Sequence, residues 1–134
     1  MLNALDIPKF LAVDFYCGAG GTTRGLLDAG GYVIAGIDKD SGCHDTYVLN
    51  NPNEKLDGDD PAFLALDMFP ASNDYPQGQQ IKVSENLEWL IPMYRDLAPG
   101  IPLLFAICAP RQSFTKFVQR RMTVDFASLD YRPC

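Results

Sequence analysis

The stretch "FLAVDFYCGAGGTTRGLLDAGGYVIAGID", residues 10–38, decides the fold. It opens on a short apolar run, "FLAVDFY" (10–16), that ends at glycines, the pattern of a strand buried on both faces of a parallel sheet. "TTRGLLDAGG" (22–31) then reads as a helix closed by glycine, with Leu26, Leu27 and Ala29 turned inward. "YVIAGID" (32–38), rich in β-branched residues, reads as a second buried strand. Strand, glycine turn, helix and strand make one βαβ unit.

The same alternation continues outward from it. A helix is expected around 41–50, "SGCHDTYVLN", followed by the polar loop "NPNEKLDGDDP" and a third strand at 62–66, "AFLAL". "ASNDYPQGQQIKV" reads as a loop by composition. From Ser84, taken as an N-cap, Leu87, Leu90, Ile91 and Tyr94 recur at helical spacing, and Pro92 should kink or shorten that helix. "IPLLFAI" (101–107) is the fourth strand. Four strands alternating with helices imply an α/β fold with a mostly parallel sheet, whose ligands bind beyond the carboxyl ends of the strands. There is no internal repeat.

At 134 residues this is one domain, and 47% hydrophobic against 21% charged residues excludes a chain disordered throughout. No apolar run approaches the ~18 residues of a membrane span, and "MLNALDIPKF" lacks a signal pattern, so a cytoplasmic protein without a membrane partner is expected. The cysteines (17, 43, 108 and 134) form no C-x-x-C pair, and the single histidine, His44, adjoins Cys43. Reduced thiols and no metal site follow.

A net charge of −6 argues against holding nucleic acid by a general field. Residues 110–134, however, carry 5 Lys/Arg against 2 Asp/Glu. The basic tail at 118–134 reads either as a solvated end or as a stretch facing phosphate.

Three features fall at strand ends: "DFYCGAGG" (14–21), Asp38 and Asp67. Glycines between strand and helix let a backbone approach a ligand, and an acid about twenty residues on can bond a ribose. Together they favour a nucleoside-containing cofactor. The dinucleotide fingerprint fits imperfectly, because Gly18-Ala19-Gly20 is followed by Gly21-Thr22-Thr23 and lacks its last glycine. A nicotinamide-dependent oxidoreductase is disfavoured for that reason and for want of a Tyr-x-x-x-Lys proton donor.

At this point a resemblance becomes specific. "VDFYCGAGGTTRGLLDAGGYVIAGIDKD" followed by "TYVLNNP" resembles the first motifs of the DNA cytosine-5 methyltransferases, and "FAICAPRQSFTKF" resembles their catalytic loop. The motifs fall at 11–23, 34–40, 64–69 and 105–115, and residues 1–134 are read as a partial methyltransferase domain. The resemblance implies an incomplete Rossmann-like sheet of about four strands, S-adenosylmethionine as cofactor and methyl transfer to C5 of a cytosine in DNA.

It also implies roles. Asp14 with Gly18, Ala19, Gly20 and Gly21 would surround the methionine portion. Tyr16 would lie against adenine, although the strand pattern alone makes it a core aromatic. Asp38 would take the ribose hydroxyls, Lys39 would lie beside the adenine, and Asp67 would accept from the adenine amino group. The chain departs from the family at Lys39, usually apolar or aromatic, and at Leu66, usually glycine.

The gravest departure is at the nucleophile. The family adds a cysteine thiolate to C6 of cytosine so that C5 can attack the sulfonium methyl. Here Arg111 stands in that place between Pro110 and Gln112, and a guanidinium has no free electron pair to offer. Cys108, three residues earlier, is expected to be a small buried hydrophobe. The family's E-N-V motif follows its catalytic loop, whereas the "SEN" at 84–86 precedes it. The expectation is a truncated domain inactive alone, or a non-catalytic S-adenosylmethionine- or DNA-binding module, or one subunit of a split enzyme with a complementing partner.

Overall fold

The computed structural model describes residues 7–53 and 60–108. In chain order the elements are β1 (Leu11–Phe15), α1 (Gly21–Asp28), β2 (Tyr32–Asp38), a 3-10 turn (Ser41–Cys43), α2 (His44–Asn50), β3 (Ala62–Ala65), α3 (Gln80–Leu97) and β4 (Leu103–Ile107). The strands form one four-stranded sheet in the order β3-β2-β1-β4, and every pairing is parallel. The chain builds outward from β1 through β2 to β3, then returns to lay β4 on the other side of β1. This reversal beside β1 is the switch point at which such sheets hold ligands. The molecule is an α/β protein with an incomplete Rossmann-like sheet.

Period-two alternation sorts β1 between two layers. Leu11 and Val13 join Tyr32, Ile34 and Ile37 of β2 in a core covered by Val83, Leu87, Leu90 and Tyr94 of α3. Ala12 faces the other way and packs with Val33 and Leu27 of α1. A register shift between Ala12 and Val13 carries the β1–β2 pairing from Ala12↔Val33 to Val13↔Ala35.

Several expectations need correction. Ala29 is exposed rather than inward, because α1 ends at Asp28 and Ala29 is already its cap. Ser84 is not an N-cap: α3 starts at Gln80, inside the stretch read as loop, so its buried stripe begins at Val83. Pro92 does not shorten α3, which continues to Leu97; Pro92 is exposed, away from the packed face. Among the described residues the fourth strand is an edge strand, with no buried residue, although it is as apolar as a strand meant for the interior. Pro110, Arg111, Gln112 and the basic tail lie outside the described residues. Among the described residues no helix is long and apolar enough to cross a membrane.

Candidate functional site

β1 ends by turning sharply. Tyr16 leaves the strand with φ +60, in the left-handed region that side chains rarely adopt, and the chain passes through Gly18 and Gly20 into α1. Gly20 has no substitute: its φ is +95, and a Cβ there would sit 2.2 Å from Asn51 Nδ2 and 2.8 Å from the Tyr47 ring. Gly18 and Gly21 are different, since a Cβ at either meets nothing within 4 Å. One side of the turn is packed and the other is open. Among the described residues no side chain caps the N-terminus of α1, which leaves its first N–H groups to other partners.

Asp14 lies on the face of β1 that looks toward α1 and is fully buried. Its Oδ2 accepts from Thr23 Oγ1 at 2.6 Å, and Thr23 Oγ1 lies 3.0 Å from the Tyr47 hydroxyl. Its Oδ1 has no partner among the described residues. Burial raises the Asp14 pKa above the usual carboxylate value, against the opposing hydrogen bonds from Thr23. Tyr47 fills the space left by two glycines, because a Cβ on Gly36 of β2 would also strike its ring and hydroxyl. Burial likewise pushes the Tyr47 hydroxyl pKa well up, so it stays protonated and can donate.

Asp38 ends β2 beside the turn. Its Oδ2 accepts from Gly18 N at 3.0 Å and its Oδ1 from Asp40 N at 2.9 Å. The acid is therefore tied to the glycine turn across the tips of adjacent strands. Lys39, which follows it, is exposed.

Asp67 follows β3 and is almost fully buried. Its Oδ1 accepts from Phe69 N at 3.0 Å, its Oδ2 accepts from the Tyr75 hydroxyl, and its own N–H donates to Gln79 Oε1 at 3.0 Å. Three rings line up alongside. Tyr16 and Phe69 have centroids 6.4 Å apart, and Phe69 meets Tyr75 edge-on at 5.8 Å. Tyr16 is half-buried rather than a core aromatic. Burial, then the charges of Asp67 and Asp38, raise its hydroxyl pKa.

The structure thus gathers Asp14, Tyr16, Gly18, Gly20, Gly21, Asp38 and Asp67 around the carboxyl ends of β1, β2 and β3, with Ala19 exposed in the same turn. Sequence reasoning missed Thr23, Tyr47, Asn51, Phe69 and Tyr75. "TYVLNNP" carries part of the family resemblance, yet nothing in it announces that Tyr47 reaches Thr23. Cys17 and Cys43 are free thiols. Cys17 is buried, and burial followed by the charges of Asp14 and Asp38 pushes its pKa far up, which makes it inert. Cys108 is half-buried and disulfide-bonded, where a reduced and buried thiol was expected. Among the described residues no group of three His, Cys, Asp or Glu side chains could hold a metal ion.

A parallel sheet with a glycine turn at its switch point and acids at successive strand ends is a Rossmann-like α/β arrangement. Over 39 residues the chain is 49% identical to the Type II methylase M.HgiDII of Herpetosiphon aurantiacus. That match covers 29% of this chain and 11% of the methylase, and over this stretch it relates the chain to a methyltransferase. No family model matches the chain, and no solved structure matches it.

Proposed function

We propose that this chain holds S-adenosylmethionine at the carboxyl ends of β1, β2 and β3, as part of a DNA cytosine-5 methyltransferase-like protein, and does not transfer the methyl group by itself. The observation that carries the reading is Asp38, hydrogen-bonded to the open glycine turn at Gly18, with Tyr16 leaving β1 at the same turn and lying against Phe69. The family resemblance gives the ribose hydroxyls to Asp38 and the adenine to Tyr16 and Asp67, and all three follow or end strands of the one sheet.

The residues present fit such a ligand. Asp14 has a buried oxygen without a partner among the described residues, and a cationic ammonium nearby would supply the charge that burial otherwise makes costly. The open side of Gly18 and Gly21 leaves room for a ligand, and the uncapped start of α1 leaves backbone N–H groups for its polar atoms. When bound, S-adenosylmethionine supplies an electrophilic methyl group. The chain's part is to grip the ribose at Asp38, support the adenine at Tyr16 and Asp67, and keep Asp14 fixed through Thr23. Arg111 then explains the expected inactivity, because the position that would activate cytosine carries a group unable to add to carbon.

Calorimetric titration of the full chain with S-adenosylmethionine tests this, with NAD as control. Saturable binding that weakens at least tenfold in Asp38→Ala, beside no binding of NAD, is the expected result. A folded chain that binds neither ligand refutes the cofactor reading. Methyl transfer to cytosine by the unaltered chain refutes the role given to Arg111.

A further inference from the structure

Asp67 is held at every polar group it has. Besides the bonds from Phe69, Tyr75 and Gln79 already described, its carbonyl accepts from Gln79 N at 2.8 Å. The segment from Phe69 to Gln79 therefore folds back on the acid that precedes it. Tyr75 sits at the head of a tight turn: Ser72 N donates to Tyr75 O at 3.0 Å, and Tyr75 N donates to Ser72 Oγ at 3.0 Å. Phe69 lies edge-on to Tyr75 and tilted against Tyr16, so the phenol that bonds Asp67 Oδ2 belongs to a row of rings that starts at the glycine turn.

We propose that Tyr75 is a built-in competitor for the adenine amino group, a residue that occupies Asp67 Oδ2 while the site is empty and must release it on binding. This rests on the cofactor reading above and adds to it a specific regulating contact. Phe69 N keeps Oδ1 in both states, so Oδ2 is the oxygen in contention. The hydroxyl of Tyr75 and an aromatic amino group are both single-proton donors to that oxygen, so the exchange trades one bond for another. The carboxylate is never stranded without a partner, and the ligand is held less tightly than the contacts alone would give. A base with a carbonyl in place of the amino group cannot make the exchange.

The test measures dissociation constants and association rates of S-adenosylhomocysteine and S-inosylhomocysteine for the full chain and for Tyr75→Phe. Tyr75 stands on a half-exposed loop turn, and circular dichroism checks that the variant folds; Tyr75→Leu serves as a second variant lacking the hydroxyl. Loss of the competing hydroxyl is expected to tighten the adenosyl ligand by about threefold to tenfold, with faster association. The inosyl ligand, having no amino donor, gains nothing. Adenosyl binding that is unchanged or weaker in Tyr75→Phe overturns the proposal and leaves the cofactor reading standing. So does an equal gain for both ligands, which would mean general loosening of the loop. Failure of the folded wild type and of both variants to bind the adenosyl ligand overturns the cofactor reading, and this inference with it.

Discussion

The two neighbours of β1 are both apolar runs, β4 the more so, yet β2 is the one the fold buries. β2 has six of its seven residues buried. β4 has none of its five buried, and Leu104, Phe105 and Ile107 are 44%, 47% and 61% exposed. The difference lies in what covers each strand. β2 is paired on both sides, lies under α3 on one face and meets α1 and Tyr47 on the other. β4 is paired with β1 alone among the described residues. An apolar run announces a strand that needs cover; it does not say whether the cover is there.

The packed side and the open side should respond differently to damage. Tyr47→Ala is the largest expected effect. It empties the space between Gly20 and Gly36 and strips Thr23 of a partner, at a cost of about 3–5 kcal/mol in urea denaturation. Phe105→Ala on the edge strand, measured beside it, should cost under about 1 kcal/mol. Similar losses for the two would erase the contrast.

Asp14→Asn sharpens the comparison from within the packed side. The folded pKa of Asp14 is raised by burial, so its contribution to stability is full below the unfolded value and is lost as pH rises through the folded one. The wild type should lose stability relative to Asp14→Asn as pH climbs from about 4 toward neutrality. The readout is the urea midpoint of both proteins across that range. A constant difference at every pH would mean that the carboxylate is not buried as described.

The smallest effect on stability belongs to Ile107→Lys. A charge on an exposed edge position should change the unfolding free energy by no more than about 0.5 kcal/mol. It should still lower self-association in sedimentation experiments, since lysine on an edge opposes strand pairing between copies. Large destabilisation would show that this edge is covered after all.

Much of the fold was legible because its signals are local. Apolar runs, glycine stops and turn chemistry marked all four strands within two residues of where they lie. The sequence pattern puts the start of α3 too late because Gln80, Ile81 and Lys82 sit among turn-forming residues and are exposed, so they add nothing to the buried stripe that begins at Val83. Ala29 was misassigned for the converse reason, since apolar character next to a helix end says nothing about direction. Within the site, Asp14, Asp38 and Asp67 were readable as acids at strand ends. Their partners were not.

What the sequence determined by itself is the alternation of strand and helix, the glycine turn after β1, the three acids and the arginine at residue 111. Each of these is set by neighbours within a few residues along the chain. Only the tertiary structure decided that β4 would return beside β1, that Tyr47 would close over Gly20 and Gly36, and that Tyr75 would claim Asp67. The first two contacts join residues far apart in sequence, and the third depends on a loop folding back. Their partners are chosen by packing in three dimensions, which no local pattern encodes.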